Sequence, residues 1–222
     1  MASLDLECEH LMPRFLCRVC PQEHRYFNGL QSGHYRAVLI DPPWHFEVWS
    51  IGKIIEKSSR HALKHYDTMP IEQIYDLPVQ ELAAPDCVLF LWVTWPMLEH
   101  GLQAIARWKF KYKTCAFAWM KANGSQINLF DDEITADMLT GYWTRANSEV
   151  CLLATRGSPK RLNADVRQGI IAPRREHSRK PDGIHDRIER LVAGPYCELF
   201  ARQRRARWDS WGNDVDKFAA QV

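Results

Sequence analysis

Ala37-Val38-Leu39-Ile40-Asp41-Pro42-Pro43-Trp44 is the stretch on which the reading of fold and chemistry turns. Its four apolar residues, with β-branched Val38 and Ile40 among them, suit a short strand, and Asp41 ends that strand on a charge. The two prolines exclude both helix and continued sheet pairing, so the chain must turn stiffly at the strand's C-terminal end. In open α/β sheets that edge is where ligands bind.

Further candidate strands follow at 87–94, 114–119, 150–154 and 196–201, with the first at 37–41, and amphipathic segments lie between them. This alternation is the pattern of an α/β sheet with helices on its faces. Residues 87–93 are apolar at every position, which places them in a central strand covered on both sides. Pro96 opens a helix whose apolar face would carry Leu98, Leu102, Ile105 and Trp108. A second helix starts near Asp182, with Ile184, Ile188, Leu191 and Val192 on one face and Gly194-Pro195 to end it. Residues 123–148 and 155–178 lack such periodicity and read as long surface excursions.

The 222 residues suffice for one well-buried domain. With 46% hydrophobic and 25% charged residues, a disordered or fibrous chain is excluded. No apolar run approaches the ~20 residues of a spanning helix, and the first residues lack the form of a secretory signal. Seven unevenly spread cysteines suggest no disulfide framework, so no membrane and a cytoplasmic location are expected. Net charge is only +2, but residues 174–180 and 202–207 concentrate arginines, Arg174 and Arg175 among them. These clusters would follow a phosphate backbone, the alternative being a solvated charged face.

The Asp41 loop suits attack by a weak nitrogen nucleophile. An aromatic amine such as the 6-amino group of adenine has its lone pair delocalised into the ring and needs acceptors that hold its hydrogens and aim the nitrogen. Asp41 and the Pro42 carbonyl would be those acceptors, Pro43 would stiffen the turn, and Trp44 would offer a stacking face. Taken alone, the tetrapeptide is equally a strand-terminating turn with a packed tryptophan.

Its company decides between these readings. His65-Tyr66-Asp67-Thr68-Met69, Leu89-Phe90-Leu91-Trp92-Val93-Thr94, Trp119-Met120-Lys121 and Gly141-Tyr142-Trp143 follow in order. Then come Asn147-Ser148-Glu149, His177-Ser178-Arg179-Lys180-Pro181-Asp182, Glu198-Leu199-Phe200-Ala201-Arg202 and Trp208-Asp209-Ser210-Trp211-Gly212-Asn213. Over residues 34–216 the chain resembles the MT-A70 family of adenine N(6)-methyltransferases. The resemblance implies a circularly permuted Rossmann-like α/β methyltransferase domain over 34–222 that uses S-adenosylmethionine. Asp41, Pro42, Pro43 and Trp44 would be catalytic in it. Asp41, Lys180, Glu198, Arg202 and Asn213 would hold the cofactor, Lys180 at its methionine carboxylate and Arg202 and Asn213 at its adenosine. Tyr66, Lys121 and Glu149 would shape the target-base pocket.

The resemblance to small bacterial and phage enzymes implies DNA ahead of RNA as substrate, since the chain lacks the long extensions of the messenger-RNA enzymes. A homodimer is compatible with it. An inactive scaffold of the same fold is the rival, against which the intact Asp41-Pro42-Pro43-Trp44 argues. The chain departs from the family at 51–63, longer and more basic than expected, and at Arg204-Arg205-Ala206-Arg207, where small polar residues are usual.

Ahead of this region, residues 1–33 form an N-terminal extension. Cys8-x-His10 and Cys17-x-x-Cys20, with His24 beyond, give two short chelating pairs. Sulfur and nitrogen ligands at this spacing favour a structural zinc on Cys8, His10, Cys17 and Cys20 over reduced cysteines packed as small apolar residues.

Overall fold

The computed structural model describes residues 26–44, 68–122, 143–144, 146–176 and 179–218. The strand read at 37–41 forms as β1 (Tyr35–Ile40), ending just before Asp41. Two short helices, α1 (Ile71–Tyr75) and α2 (Val79–Leu82), lead into β2 (Ala83–Val93). A 3₁₀ turn (Trp95–Met97) and α3 (Leu98–Arg107) follow, then β3 (Lys111–Ala122) and β4 (Ser148–Arg156). The chain continues through β5 (Gly169–Pro173), α4 (Gly183–Leu191), β6 (Tyr196–Leu199) and β7 (Trp208–Trp211).

The strands make one mixed sheet in the order β5-β3-β4-β2-β1-β6-β7. β4 runs antiparallel to both neighbours, β2 and β3, while the pairs β1–β2, β1–β6, β6–β7 and β3–β5 are parallel. The C-terminal ends of β1, β2, β3, β5, β6 and β7 therefore share one edge with the start of β4.

As its unbroken apolar run requires, β2 is central and packed on both faces. Leu89, Leu91 and Val93 meet α1, α2 and α3, while Phe90 and Trp92 lie on the face covered by α4. Close approach of α3 depends on Gly101, since a Cβ there would stand 2.6 Å from Val93 Cγ1. This sets the helix phase, and Gly101, Ala104 and Ile105 face the sheet while Leu102, expected inward, is exposed. A second correction falls in 155–178, where β5 adds an edge strand to what reads in sequence as loop. In Gly169-Ile-Ile-Ala-Pro173 the strand is too short to carry a period. Residues 1–25, which include Cys8, His10, Cys17, Cys20 and His24, and residues 45–67 and 123–142 lie outside the described residues.

Candidate active site

Strand parity assembles the site. Side chains alternate between faces along a strand, so Asp41 continues the face of Ala37 and Leu39, under α4. The same rule puts Trp92 on this face of β2, Cys151 and Glu149 on β4, Trp119 and Lys121 on β3, and Tyr196 and Glu198 on β6. Each chemical residue sits at the strand end nearest the shared edge. Lys180 enters from above, just ahead of the helix that covers this face.

The result is a chain of alternating charge. Lys180 Nζ donates to both Asp41 oxygens at 2.9 and 2.8 Å and lies 3.3 Å from Glu149 Oε2. Lys121 Nζ donates to Glu149 Oε1 at 2.5 Å. Lys121 stands diagonally from Glu149, because Glu149 is opposite Trp119 in the ladder, and at 8% exposure it is the one charged side chain classed as buried among the described residues. Burial pushes the Asp41 carboxyl above the usual aspartate range, against the pull of Lys180 and Arg202. Burial would also raise Glu149, but Lys180 and Lys121 outweigh it and hold that carboxyl down at about 2. Burial disfavours the Lys180 ammonium, yet Asp41 and Glu149 beside it hold it protonated. Lys180 also lies 5.5 Å from the centre of the Trp92 ring, within cation–π range.

The proline turn differs from expectation in two respects. The Pro42 carbonyl, expected free, accepts the Trp44 N–H at 2.8 Å, which leaves one lone pair for a ligand. Trp44, expected to present a stacking face, is 5% exposed in the core on the α3 side, with its indole N–H donated to the Trp92 carbonyl at 3.0 Å. It buttresses the loop, as does the Met69 N–H on the Pro43 carbonyl at 2.9 Å. The buried indole therefore gives way as the stacking surface to the turn's rigidity.

A cleft beside this chain runs from Asp41 and Trp92 past Lys180 and His185 to Glu198, Phe200 and Arg202. Glu198 accepts a hydrogen bond from His185 Nε2 at 2.8 Å. Directly after β6, Phe200 adopts a left-handed φ of 60°, an uncommon state for a bulky residue. Gly212 is needed where the turn after β7 crosses this one, because a Cβ would meet the Ala201 carbonyl oxygen at 2.8 Å. Asn213 follows on that edge and is exposed.

The residues present fit S-adenosylmethionine by their chemistry. Carboxylates and cations for a zwitterion stand beside apolar Leu39 and Phe200. Trp92 Nε1, His185 Nδ1 and Ser210 Oγ are buried without a hydrogen-bond partner among the described residues, and Ser210 is opposite Glu198 in register. The cleft encloses about 60 Å³, against ~300 Å³ or more for typical ligand sites, so a nucleotide-sized molecule requires its lining side chains to move apart.

The arginine clusters reach the same edge but are largely compensated. Arg175, Arg179 and Arg205 all pair with Asp182, Arg204 pairs with Asp216, and Arg207 with Glu189. Arg174 is exposed. Thus Asp41, Lys180, Glu149 and Lys121 come into contact, Glu198 and Arg202 line the adjoining cleft, and Tyr66 lies outside the described residues. His185 and Trp92 escape sequence reading because a helix histidine and a core tryptophan carry no periodic signal of their own. Among the described residues no group of three or more His, Cys, Asp and Glu could hold a metal, and no helix is long and apolar enough to cross a membrane.

A mixed α/β sheet carrying an Asp-Pro-Pro-Trp turn beside such a cleft fits a Rossmann-like methyltransferase. The MT-A70 family model matches residues 35–214, and the chain belongs to that family of methyltransferases. It is 29% identical over 203 residues to Type II methyltransferase M.MunI of Mycoplasma sp, covering 85% of this chain and 81% of that one. It is also 30% identical to the N(6)-adenosine-methyltransferase MT-A70-like protein of Drosophila melanogaster, covering 96% of this chain and 32% of the relative. The N(6)-adenosine-methyltransferase catalytic subunit METTL3 of Homo sapiens is likewise 30% identical, over 92% of this chain. The chain spans 31% of that protein's length.

Proposed function

We propose that the protein transfers a methyl group from S-adenosylmethionine to the 6-amino group of adenine in DNA. The observation that carries this is the Asp41 carboxylate, held at the shared strand edge by both Lys180 hydrogen bonds on a turn of two prolines. Similarity to M.MunI along most of both chains favours DNA, and similarity to METTL3 makes RNA the second reading. The strand order supports a circular permutation, because the Asp41 strand comes first in the chain and its neighbour β6, which bears Glu198, comes late.

Lys180, Glu198, Arg202 and Asn213 are the residues that would hold S-adenosylmethionine, which supplies a methyl group on an electrophilic sulfonium. Asp41 and the remaining lone pair of Pro42 O accept hydrogen bonds from the amino group and aim its nitrogen. Lys180 keeps the Asp41 oxygens fixed, and Asp41 stands ready to take the proton that becomes acidic as the nitrogen acquires positive charge. Lys121 and Glu149 continue that framework towards the base, with Tyr66 assigned to the same pocket, and Arg174 and Arg175 face the phosphate backbone. A base within a duplex must first leave the stack.

The test is incubation with labelled S-adenosylmethionine and single- or double-stranded DNA or RNA, followed by identification of the methylated nucleoside. N(6)-methyladenine in DNA is expected. Label confined to RNA replaces the substrate with RNA, and absence of methylated adenine on every substrate overturns the proposal.

The reading extends to a structural zinc on Cys8, His10, Cys17 and Cys20. Metal analysis of purified protein should find one zinc per chain, lost in Cys17→Ser, and a zinc-free wild type overturns this part.

A further inference from the structure

We infer that Trp95 is a stacking platform for a base neighbouring the target in the substrate strand. This rests on the nucleic-acid reading above and adds a contact that neither the Asp41 loop nor the cofactor cleft supplies. Trp95 follows β2 at the edge where Asp41 and Glu149 lie. The β2–β4 ladder pairs Trp92 with Cys151 and Val93 with Val150, and continuing it sets Trp95 across from Ser148. The indole N–H donates to Ser148 Oγ at 2.9 Å, one residue from Glu149.

Trp95 is 52% exposed, unlike Trp92 and Trp119, which lie buried on the same edge. An exposed indole is usually a mobile one, but this one is held at both ends. Its backbone lies in a 3₁₀ turn with Pro96 next in sequence, the Met97 N–H bonds to the Thr94 carbonyl at 2.9 Å, and the Leu98 N–H bonds to the Trp95 carbonyl. Its ring is fixed by Ser148. A flat, fixed and solvent-facing aromatic surface suits a nucleobase, since every base has a π-face and stacking tolerates any sequence. A protein-docking face needs a contiguous apolar patch of several hundred Å². Among the described residues, the sequence, the ladder and the indole hydrogen bond set Thr94, Pro96, Ser148 and Glu149 beside Trp95.

The placement selects a neighbouring base over the target. Asp41 is level with Trp92 in the β1–β2 register, because Ile40 pairs with Leu91. Trp95 stands three residues further out, on the order of 10 Å at strand spacing, beyond a base held on the Asp41 carboxylate.

The experiment couples residue to base. Binding by fluorescence anisotropy and methyl-transfer kinetics are measured for wild type, Trp95→Ala, Trp95→Phe and Ser148→Ala. The substrates are an oligonucleotide with one adenine and the same strand with an abasic site immediately 5′ or 3′ of that adenine. Trp95→Ala should raise KM and Kd roughly tenfold on the intact strand with kcat little changed, the size expected for one lost stack. Trp95→Phe should recover most of this, and Ser148→Ala should cost a smaller factor by releasing the ring.

One of the two abasic strands should weaken wild type by a similar factor and leave Trp95→Ala no weaker than before. Equal sensitivity of wild type and Trp95→Ala to both abasic strands overturns the inference, as does a mutant that loses kcat at unchanged KM. A Trp95→Ala protein that loses self-association while binding nucleic acid normally also overturns it. If wild type binds the strand without methylating adenine, the activity proposed above fails while the coupling in Kd still tests Trp95. If wild type methylates adenine and shows no coupling, only the present inference falls.

Discussion

The two halves of the cleft treat polar groups in opposite ways. On the side of β1, β4 and β3, Asp41, Lys180, Glu149 and Lys121 alternate in sign, and each carboxylate has an ammonium partner within 3.3 Å. On the side of β6 and β7, Glu198 is held by His185, but His185 Nδ1 and Ser210 Oγ are buried without partners among the described residues, and Phe200 has a strained backbone. Buried polar groups are ordinarily hydrogen-bonded, and leaving one unmet costs about 1–3 kcal/mol. The charged groups of the first half are matched by one another, leaving Trp92 Nε1 as its buried unpartnered atom among the described residues, whereas the second retains two such atoms, His185 Nδ1 and Ser210 Oγ, that a polar ligand would satisfy. On the function proposed above, the half that would aim the amino group is stiff without help, and the half that would hold the cofactor would gain order on binding.

The severest break in this arrangement is Asp41→Ala. Methyl transfer from labelled S-adenosylmethionine should fall on the order of 10³-fold, as for loss of a group aimed at the reacting atoms. Cofactor binding by calorimetry should largely persist. Equal transfer by mutant and wild type would remove Asp41 from the chemistry.

Next is Lys180→Met, which leaves Asp41 and Glu149 facing each other in a buried site. Breaking such a pair costs about 3–5 kcal/mol, so thermal unfolding should drop by roughly 10 °C along with activity. Adding Asp41→Asn, which removes the carboxylate left without its ammonium while Glu149 keeps Lys121, should restore much of the stability and none of the activity. A double mutant no more stable than Lys180→Met would mean that the charges are not coupled as the distances imply.

The pH dependence follows from Glu149, whose pKa is lowered in the folded state. Its stabilisation is present above the unfolded value near 4.5 and is lost as pH falls towards about 2. That amounts to about 3 kcal/mol at most. Glu149→Gln should flatten the decline of melting temperature between pH 5 and pH 2, roughly the window that the shift defines. Asp41, raised by burial, acts the other way on activity, and the acidic limb of the rate profile should lie above the ordinary aspartate range.

His185→Ala probes the less complete half. It should raise the KM for S-adenosylmethionine roughly tenfold through the released Glu198, with little change in melting temperature, since one hydrogen bond to a charged group is worth about 1.5–3 kcal/mol and an orphaned nitrogen is removed with it. The smallest effect belongs to the rim, where Arg204→Ala breaks an exposed pair with Asp216 and should shift stability by less than about 1 kcal/mol.

Much of the fold was legible because burial on both faces leaves a mark in composition. Residues 87–93 read as a central strand from their unbroken apolar run, and the strands at 37–41 and 150–154 were visible for similar reasons. β5 and β7 were missed since four or five residues at a sheet edge carry no period. Leu102 was misplaced because two phases fit the same apolar residues, and only the contact of Gly101 with Val93 selects one. At the site, Trp44 was recognisable as important but its task was misread, since burial of an indole is decided by what packs around it.

Local sequence by itself determined the stiff turn at Asp41-Pro42-Pro43-Trp44 and the apolar strands behind it. Such properties depend on a few consecutive residues and the geometry of one strand. Only the tertiary structure decided that Lys180, 139 residues from Asp41, would grip both of its oxygens and share Glu149 with Lys121. Ion pairing depends on distance and burial in space, and those are set by strand order, which no local pattern encodes.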